Sequence, residues 1–461
     1  MALAKNQLIT LKITAVTSEG SGIGRYTDKD YPDGFVVFVP QTAVGDEILC
    51  KILKTDKKYA FGKLEKIVSP SPDRVTDPTN DCVVFGKCGG CCWRHVTYEA
   101  ELRYKQQIVA DALQRIGGIS ITPEPIIGSQ STERYRNKAQ YPVATVNNEP
   151  LVGFYAPRSH RIVAHTDCKL QPTEFTEIVD AVMDWVRENN ISLYDESTNR
   201  GLLRHIYIRK GEESGEILLC LVCTSGKVPQ AKRLVETFTA KFPQLIGICV
   251  NCNPDDTNVI LGKNTYTLWG KGYLTDVLCG KTFRLSPHSF YQVNKCQAET
   301  LYTIAKQEAG LTGGEVLLDL YCGTGTIGLT MAESVKELIG MEIVPQAVED
   351  ARLNARLNGV ENARFICADA AKAAEQLRNE HIRPDVVVID PPRKGCGEDV
   401  VRIIGDMAPK CVVYVSCNPA TLARDTQYFA KCGYEIKRVT PVDMFPRTPH
   451  VECVALFVRK D

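Results

Sequence analysis

An α/β fold in two or three domains, ending in a doubly wound Rossmann-like sheet, is what the sequence predicts, and three observations predict it. The first is a set of apolar runs, Glu315-Val-Leu-Leu-Asp-Leu320, Leu338-Ile-Gly-Met-Glu-Ile343 and Asp385-Val-Val-Val-Ile389, which read as parallel strands buried on both faces. The second is a glycine turn, Asp319-Leu-Tyr-Cys-Gly-Thr-Gly-Thr-Ile-Gly328, set between the first run and an apolar helix start at Ile327 to Met331. The third is length, because 461 residues exceed one ordinary hydrophobic core.

Residues 5–67 hold short strand-like runs, Leu8 to Ala15, Phe35 to Val39, Glu47 to Leu53 and Phe61 to Ile67, parted by glycine-rich turns such as Gly20-Ser-Gly-Ile-Gly24. That pattern suits a small closed, OB-like β-barrel. Thr97 to Arg115 carries apolar residues at helical spacing and stops at Gly117-Gly118, so a helix is expected within 97–119. Residues 75–281 are expected to form a central mixed domain, with Arg134-Tyr-Arg-Asn-Lys138 and Arg204-His-Ile-Tyr-Ile-Arg209 among its strands, and residues 282–461 the doubly wound sheet. In that last part Val412-Val-Tyr-Val-Ser-Cys417 is a strand that stops at a cysteine, and a final strand begins at Glu452.

The glycine turn implies a nucleoside cofactor. Gly323 and Gly325 let the backbone approach a ligand closely, and Glu342, about 20 positions on at the end of the next strand, can hold a ribose hydroxyl pair. NAD and S-adenosylmethionine fit these features equally. The run that ends at Asp390-Pro-Pro-Arg-Lys-Gly395 decides between them, since prolines hold a rigid turn at the carboxyl edge where doubly wound sheets bind ligands. Asp390 can there accept hydrogen bonds from a planar base. An exocyclic amine would call for Asn and an aromatic ring at this turn, and the chain has neither.

Methylating a ring carbon requires that the carbon first be made nucleophilic. A thiolate adding to C6 of uracil gives an enolate whose C5 takes a methyl group, and a base must then remove the C5 proton so that the thiolate can leave. Cys417 supplies a thiol on a strand-to-loop turn, and Glu452 a base at the start of the last strand.

The 19 cysteines do not read as a disulfide framework. The chain opens Met-Ala-Leu-Ala-Lys-Asn-Gln with no apolar leader and holds no run of about 18 apolar residues, so a reducing cytoplasm without membrane contact is expected. Cys82, Cys88 and Cys91, with glycines between the last two, read as metal ligands that Cys168 can complete to four. An iron-sulfur cluster and zinc fit that spacing equally. Cys220/Cys223 and Cys249/Cys252 mimic a zinc ribbon, yet lie on strands, where residues three apart face opposite ways.

Together these motifs resemble the RNA 5-methyluridine methyltransferases of the TrmA/RumA type over nearly the whole chain. The matching stretches are Ser289-Phe-Tyr-Gln-Val-Asn294, Asp319 to Gly325, Asp390 to Gly395, Ser416 to Pro419 and Thr448 to Glu452. The resemblance implies that Gln292, Tyr321, Glu342 and Asp390 contact the region of S-adenosylmethionine, and makes Asp369 a candidate for the adenine. It implies a [4Fe-4S] cluster on Cys82, Cys88, Cys91 and Cys168, with Cys92 as an alternative to Cys91. It also implies that residues 5–67 are a TRAM domain, and that helix 97–119 packs on the catalytic domain. Cytosine-5 RNA methyltransferases carry Pro-Cys in place of Pro-Pro, and Cys396 is misplaced for that role.

Charge is balanced at 55 basic and 55 acidic residues, which excludes a broad polyanion binder and leaves recognition of RNA to local patches. Lys51, Lys54, Lys57 and Lys58 beside Tyr59 and Phe61 make one such patch. The expected activity is methyl transfer to a uridine of RNA by a monomer, with 23S ribosomal RNA favoured by the resemblance over tRNA. A noncatalytic RNA-binding iron-sulfur module is the reading from another class. Intact Cys417, Asp390 and Glu452 weigh against it.

Overall fold

The computed structural model of the protein describes residues 3–76 and 82–460; residues 77–81, within the expected central domain, lie outside the described residues. The first unit is a closed barrel of β1 (Leu8–Val16), β2 (Gly22–Tyr26), β3 (Phe35–Val39), β4 (Glu47–Thr55) and β5 (Tyr59–Ser69), in the order β1-β2-β3-β5-β4. Alternating burial along β1 fills it with Ile9, Leu11 and Ile13. One expectation is corrected here. The turn holds through Gly20, whose φ is 83°, but strand β2 already begins at Gly22, which is glycine because a side chain there would run into Thr42 Oγ1 and Ile13.

Helix α1 (Tyr98–Arg115) follows, capped by Thr97, whose side chain accepts from Ala100 N. The central sheet contains β6 (Lys138–Val146), β7 (Glu149–Tyr155), β8 (Ile162–Ala164), β9 (Leu203–Lys210), β10 (Ile217–Cys223), β11 (Leu245–Cys252) and β12 (Asn264–Gly270), in the order β12-β11-β10-β9-β6-β7-β8. Helices α2 (Thr173–Glu188) and α3 (Ala231–Lys241) cover one face with Phe175, Val179, Val182 and Phe238. Cys223 joins that face and Cys220 and Cys249 the other, so neither C-x-x-C pair converges.

A hairpin, β13 (Leu274–Leu278) and β14 (Lys281–Leu285), leads into the catalytic layer. The expected boundary at 282 would cut this hairpin. Leu274 and Leu285 pair with each other and pack in a core that both the central sheet and the next sheet contribute to, so the hairpin bridges the two. The layer continues through α4 (Lys295–Ala309), β15 (Val316–Leu320), α5 (Thr326–Met331), β16 (Glu337–Glu342), α6 (Pro345–Leu357), β17 (Ala363–Cys367), α7 (Ala370–Asn379), β18 (Val386–Ile389), α8 (Glu398–Met407), β19 (Cys411–Ser416), α9 (Pro419–Lys431), β20 (Tyr434–Val442) and β21 (Glu452–Arg459). The sheet order is β17-β16-β15-β18-β19-β21-β20, parallel except for β21, which runs antiparallel to both of its neighbours. Chain order reverses between β15 and β18, which puts the ligand crevice at their carboxyl ends.

Helix α1 locks onto this layer. Lys105 Nζ donates to Asp443 Oδ1 at 2.6 Å, to Glu101 Oε1 at 2.8 Å and to Phe445 O at 3.2 Å, all in the interior. Tyr98 donates to the other Asp443 oxygen at 2.7 Å. The segment between β20 and β21 is thereby fixed, and it ends at Glu452.

Candidate active site

Register brings Cys417 and Glu452, the expected nucleophile and base, together. β19 and β21 pair antiparallel with Ser416 opposite Cys453, so the next residue outward on each strand, Cys417 and Glu452, stand across from one another at the sheet edge. β18 lies on the other side of β19 and delivers Asp390 to the same edge. The Asp390-Pro-Pro turn is tied to the cysteine turn by Asn418, whose Nδ2 donates to Arg393 O at 3.2 Å while its Oδ1 caps α9 through Ala420 N at 3.0 Å.

The electrostatics bind the three into one unit. Burial first, then the charges of Glu452 and Asp390, push the Cys417 thiol up to about 11, with Arg393 opposing them. Burial, then the charge of Asp390, lifts the Glu452 carboxyl to about 8, and burial lifts Asp390 to about 7. Neither carboxyl has a protein hydrogen bond among the described residues, although Glu452 is only 3% exposed. Gln292 lies in the segment before α4, where its backbone oxygen accepts from Asn137 Nδ2 at 2.9 Å, and its carboxamide has no protein partner among the described residues either. Groups buried without partners carry a cost that a bound ligand can offset.

A second cavity, of about 170 Å³, lies at the ends of β15, β16 and β17 and is lined by Tyr321, Glu342, Ile343, Asp369 and Val400. Tyr321 holds a φ of 66°, and Gly325, at 84°, caps α5, so the glycine turn doubles back tightly at the helix start. Glu342 accepts from Ile343 N at 2.8 Å and Val344 N at 2.9 Å, while its other oxygen accepts from Gly323 N at 3.2 Å at the turn. One oxygen of Asp369 caps α7 by accepting from Lys372 N at 2.9 Å. Apolar walls with carboxylates at the rim fit an adenosine moiety, and Ile343, 65% exposed, is such a wall. Ile343 and Val400 were missed by sequence reasoning, because an apolar side chain carries no chemical signature in a strand or helix pattern.

The four expected metal ligands also meet. Cys82, Cys88, Cys91 and Cys168 line one cavity of about 130 Å³, together with Arg94, Arg136, His165 and Gln171. Cys92 is not among the lining residues; its Sγ turns toward Gly20 of the barrel. Among the described residues no three potential ligands converge tightly enough to hold a single metal ion. Arg94 Nε, Arg136 Nε and Gln171 Oε1 are buried without partners on residues lining this cavity, and the two guanidinium donors suit an anionic sulfide-and-thiolate group. The arginines and Gln171 carry no spacing signal and were not found from the sequence.

Residues 269–460 match the family model described as tRNA (uracil-5-)-methyltransferase, and residues 4–64 match the TRAM domain. An uncharacterized RNA methyltransferase of Halalkalibacterium halodurans is 43% identical over 458 residues, covering 99% of this chain and 98% of that protein. One from Staphylococcus epidermidis is 41% identical over 461 residues, covering 100% and 99%. Among solved structures, the Pyrococcus abyssi tRNA (uracil-54, C5)-methyltransferase in complex with S-adenosyl-L-homocysteine superposes with a TM-score of 0.76 at 27% identity, covering 98% of this chain and all of that one.

Proposed function

The chain belongs to the RNA (uracil-5-)-methyltransferases, which use S-adenosylmethionine, and on that premise we propose that it methylates a uridine of ribosomal RNA through a covalent bond between Cys417 Sγ and uracil C6. The observation that carries this reading is the pairing of Ser416 with Cys453, which sets a thiol opposite a buried, partnerless carboxyl. Tyr321, Gly323, Gly325, Glu342 and Asp369 would hold the cofactor's adenosine, with Gln292 near its reactive end. When bound, the cofactor supplies a methyl group on a sulfonium sulfur.

The chain's own residues then act in order. Asp390 accepts a hydrogen bond from the uracil and fixes its plane beside Cys417. The Cys417 thiolate adds to C6, its electron pair forming the S–C6 bond while the C5–C6 π pair shifts into an enolate on the C4 oxygen, and C5 becomes the nucleophile that takes the methyl group. Glu452 then removes the C5 proton; the freed pair restores the C5–C6 double bond and expels the thiolate. Cys417→Ala is expected to abolish transfer and leave cofactor affinity within about twofold. Glu452→Gln is expected to stall after transfer, leaving protein attached to methylated RNA on a denaturing gel; free product at the normal rate would assign the base elsewhere.

Cys82, Cys88, Cys91 and Cys168 would hold a [4Fe-4S] cluster. A cubane seats each thiolate on a different iron, so its ligands ring a cavity, whereas zinc draws four sulfurs to about 2.3 Å from one ion. The ring around one cavity supports the cluster. For the RNA, the barrel and the cysteine set support ribosomal RNA through the resemblance, and the second reading is tRNA, favoured by the substrate in the name of the Pyrococcus abyssi enzyme. Mapping 5-methyluridine in ribosomal RNA and tRNA from cells with and without the gene separates the two.

A further inference from the structure

The central sheet splits at Pro142. β6 pairs with β9 from Lys138 to Pro142, whose partner is His205, and from Val143 onward it pairs with β7 instead. Proline has no amide with which to extend the first ladder. The fork between the two ladders is a cavity of about 230 Å³ lined by Tyr155, His160, Tyr194, Glu196, Arg204 and His205.

Its walls are flat. Tyr155 and His160 stack at 5.2 Å with 25° between their planes. The Arg204 guanidinium lies over Tyr194 at 4.2 Å and is held there by the carbonyls of Asn253 at 2.9 Å and Asp255 at 2.6 Å. His205 is 7% exposed, and neither of its ring nitrogens has a partner. Burial, then the Arg204 charge, holds this imidazole neutral, so one nitrogen donates and the other accepts. Glu196 stands at the rim, 2.7 Å from His160 Nδ1.

We propose that this cavity takes a second nucleobase of the RNA substrate, unstacked from its strand and distinct from the target uridine. The proposal rests on RNA being the substrate and not on which RNA it is. Stacking faces combined with an edge that both donates and accepts are what single-stranded RNA recognition uses. The strand that carries His205 is also tied to the segment before α4. Lys210 N donates to Asn137 O at 2.8 Å, and Asn137 in turn holds Gln292. His205 stands five rises along β9 from Lys210, about 17 Å at the usual spacing, within the length of a short single strand of RNA.

The test uses the full-length protein with a random-sequence oligoribonucleotide pool and the four nucleoside 5′-monophosphates. Ultraviolet cross-links located by mass spectrometry are expected at Tyr155, His160 or Tyr194. Tyr155→Ala and His205→Phe are expected to weaken RNA binding about tenfold, the loss of one stacked base. His205→Gln, which keeps a donor and an acceptor, is expected to restore most of it. Absence of cross-links in the fork together with unchanged RNA affinity in Tyr155→Ala overturns the proposal, even where His205→Phe fails to fold. Tight monophosphate binding that RNA does not displace also overturns it, by showing a site for free nucleotide. Methylation of RNA by the unaltered protein in the same preparations keeps a failure of this site apart from a failure of the methyltransferase reading.

Discussion

Glu452 and Cys417 face each other as two acids that both resist ionisation. Only the carboxylate can take the C5 proton and only the thiolate can attack C6, yet burial holds one at about 8 and the other at about 11. The competent forms therefore grow as pH rises. kcat/KM is expected to climb between about pH 6.5 and 8.5 with at least unit slope on a log scale; a profile flat or falling in that range would contradict the assignment. The pair also acts on itself, since ionised Glu452 raises the thiol. Glu452→Gln removes that charge, so alkylation of Cys417 above about pH 8 is expected to run several-fold faster in the variant. That Cys417, Asp390 and Glu452 share one sheet edge was legible because each stands in a motif at a strand end. Their raised pKa values were not, because burial arises only when β18, β19 and β21 bring the three to one sheet edge.

At the level of elements, α1 matters less for its own helix than for the segment it grips. Lys105 is fully buried between Glu101 and Asp443, and Tyr135 also donates to that segment, at Pro446 O, 2.9 Å away. Removing one member of a buried ionic set leaves the others uncompensated, which costs about 3–5 kcal/mol. Lys105→Met is thus expected to lower the melting midpoint markedly and kcat along with it, and adding Asp443→Asn is expected to recover part of the midpoint. A single variant with unchanged melting would show that the triad does not hold the segment. The helix itself was readable from its apolar spacing and its Gly117-Gly118 stop; its ionic lock was not, since Lys105 and Asp443 are 338 residues apart. Strand β2 was lost for the opposite reason. Gly22 answers a close approach by Thr42 and Gly24 one by the Lys12 carbonyl, which only the closed barrel creates, and in sequence they extend the turn before them.

Across the whole molecule the cysteine cavity sits where the barrel meets the central sheet. Cys88 and Cys91 line the ring of four, and also a cleft of about 390 Å³ whose other wall is barrel, with Gly20, Gln41 and Phe61. Gly89 N donates to Tyr155 O at 2.9 Å, joining the cysteine loop to the central sheet. Nothing in this arrangement touches the cavity between Tyr321 and Val400, which is built from the catalytic layer alone. Cluster loss is therefore expected to separate two functions. Cys168→Ser should cost the brown visible absorbance and about four irons per chain, loosen the barrel against the central sheet as faster proteolysis at the 82–91 loop, and weaken RNA binding. Affinity for S-adenosylmethionine should stay within about twofold, because no residue is shared. Cys220→Ser is the matched control, since that thiol packs in the core and should leave colour, iron and RNA binding in place. Colourless unaltered protein holding one zinc would remove the cluster and leave the methyl-transfer chemistry standing; loss of cofactor affinity in Cys168→Ser would show instead that the cysteine loop and the catalytic layer are mechanically coupled.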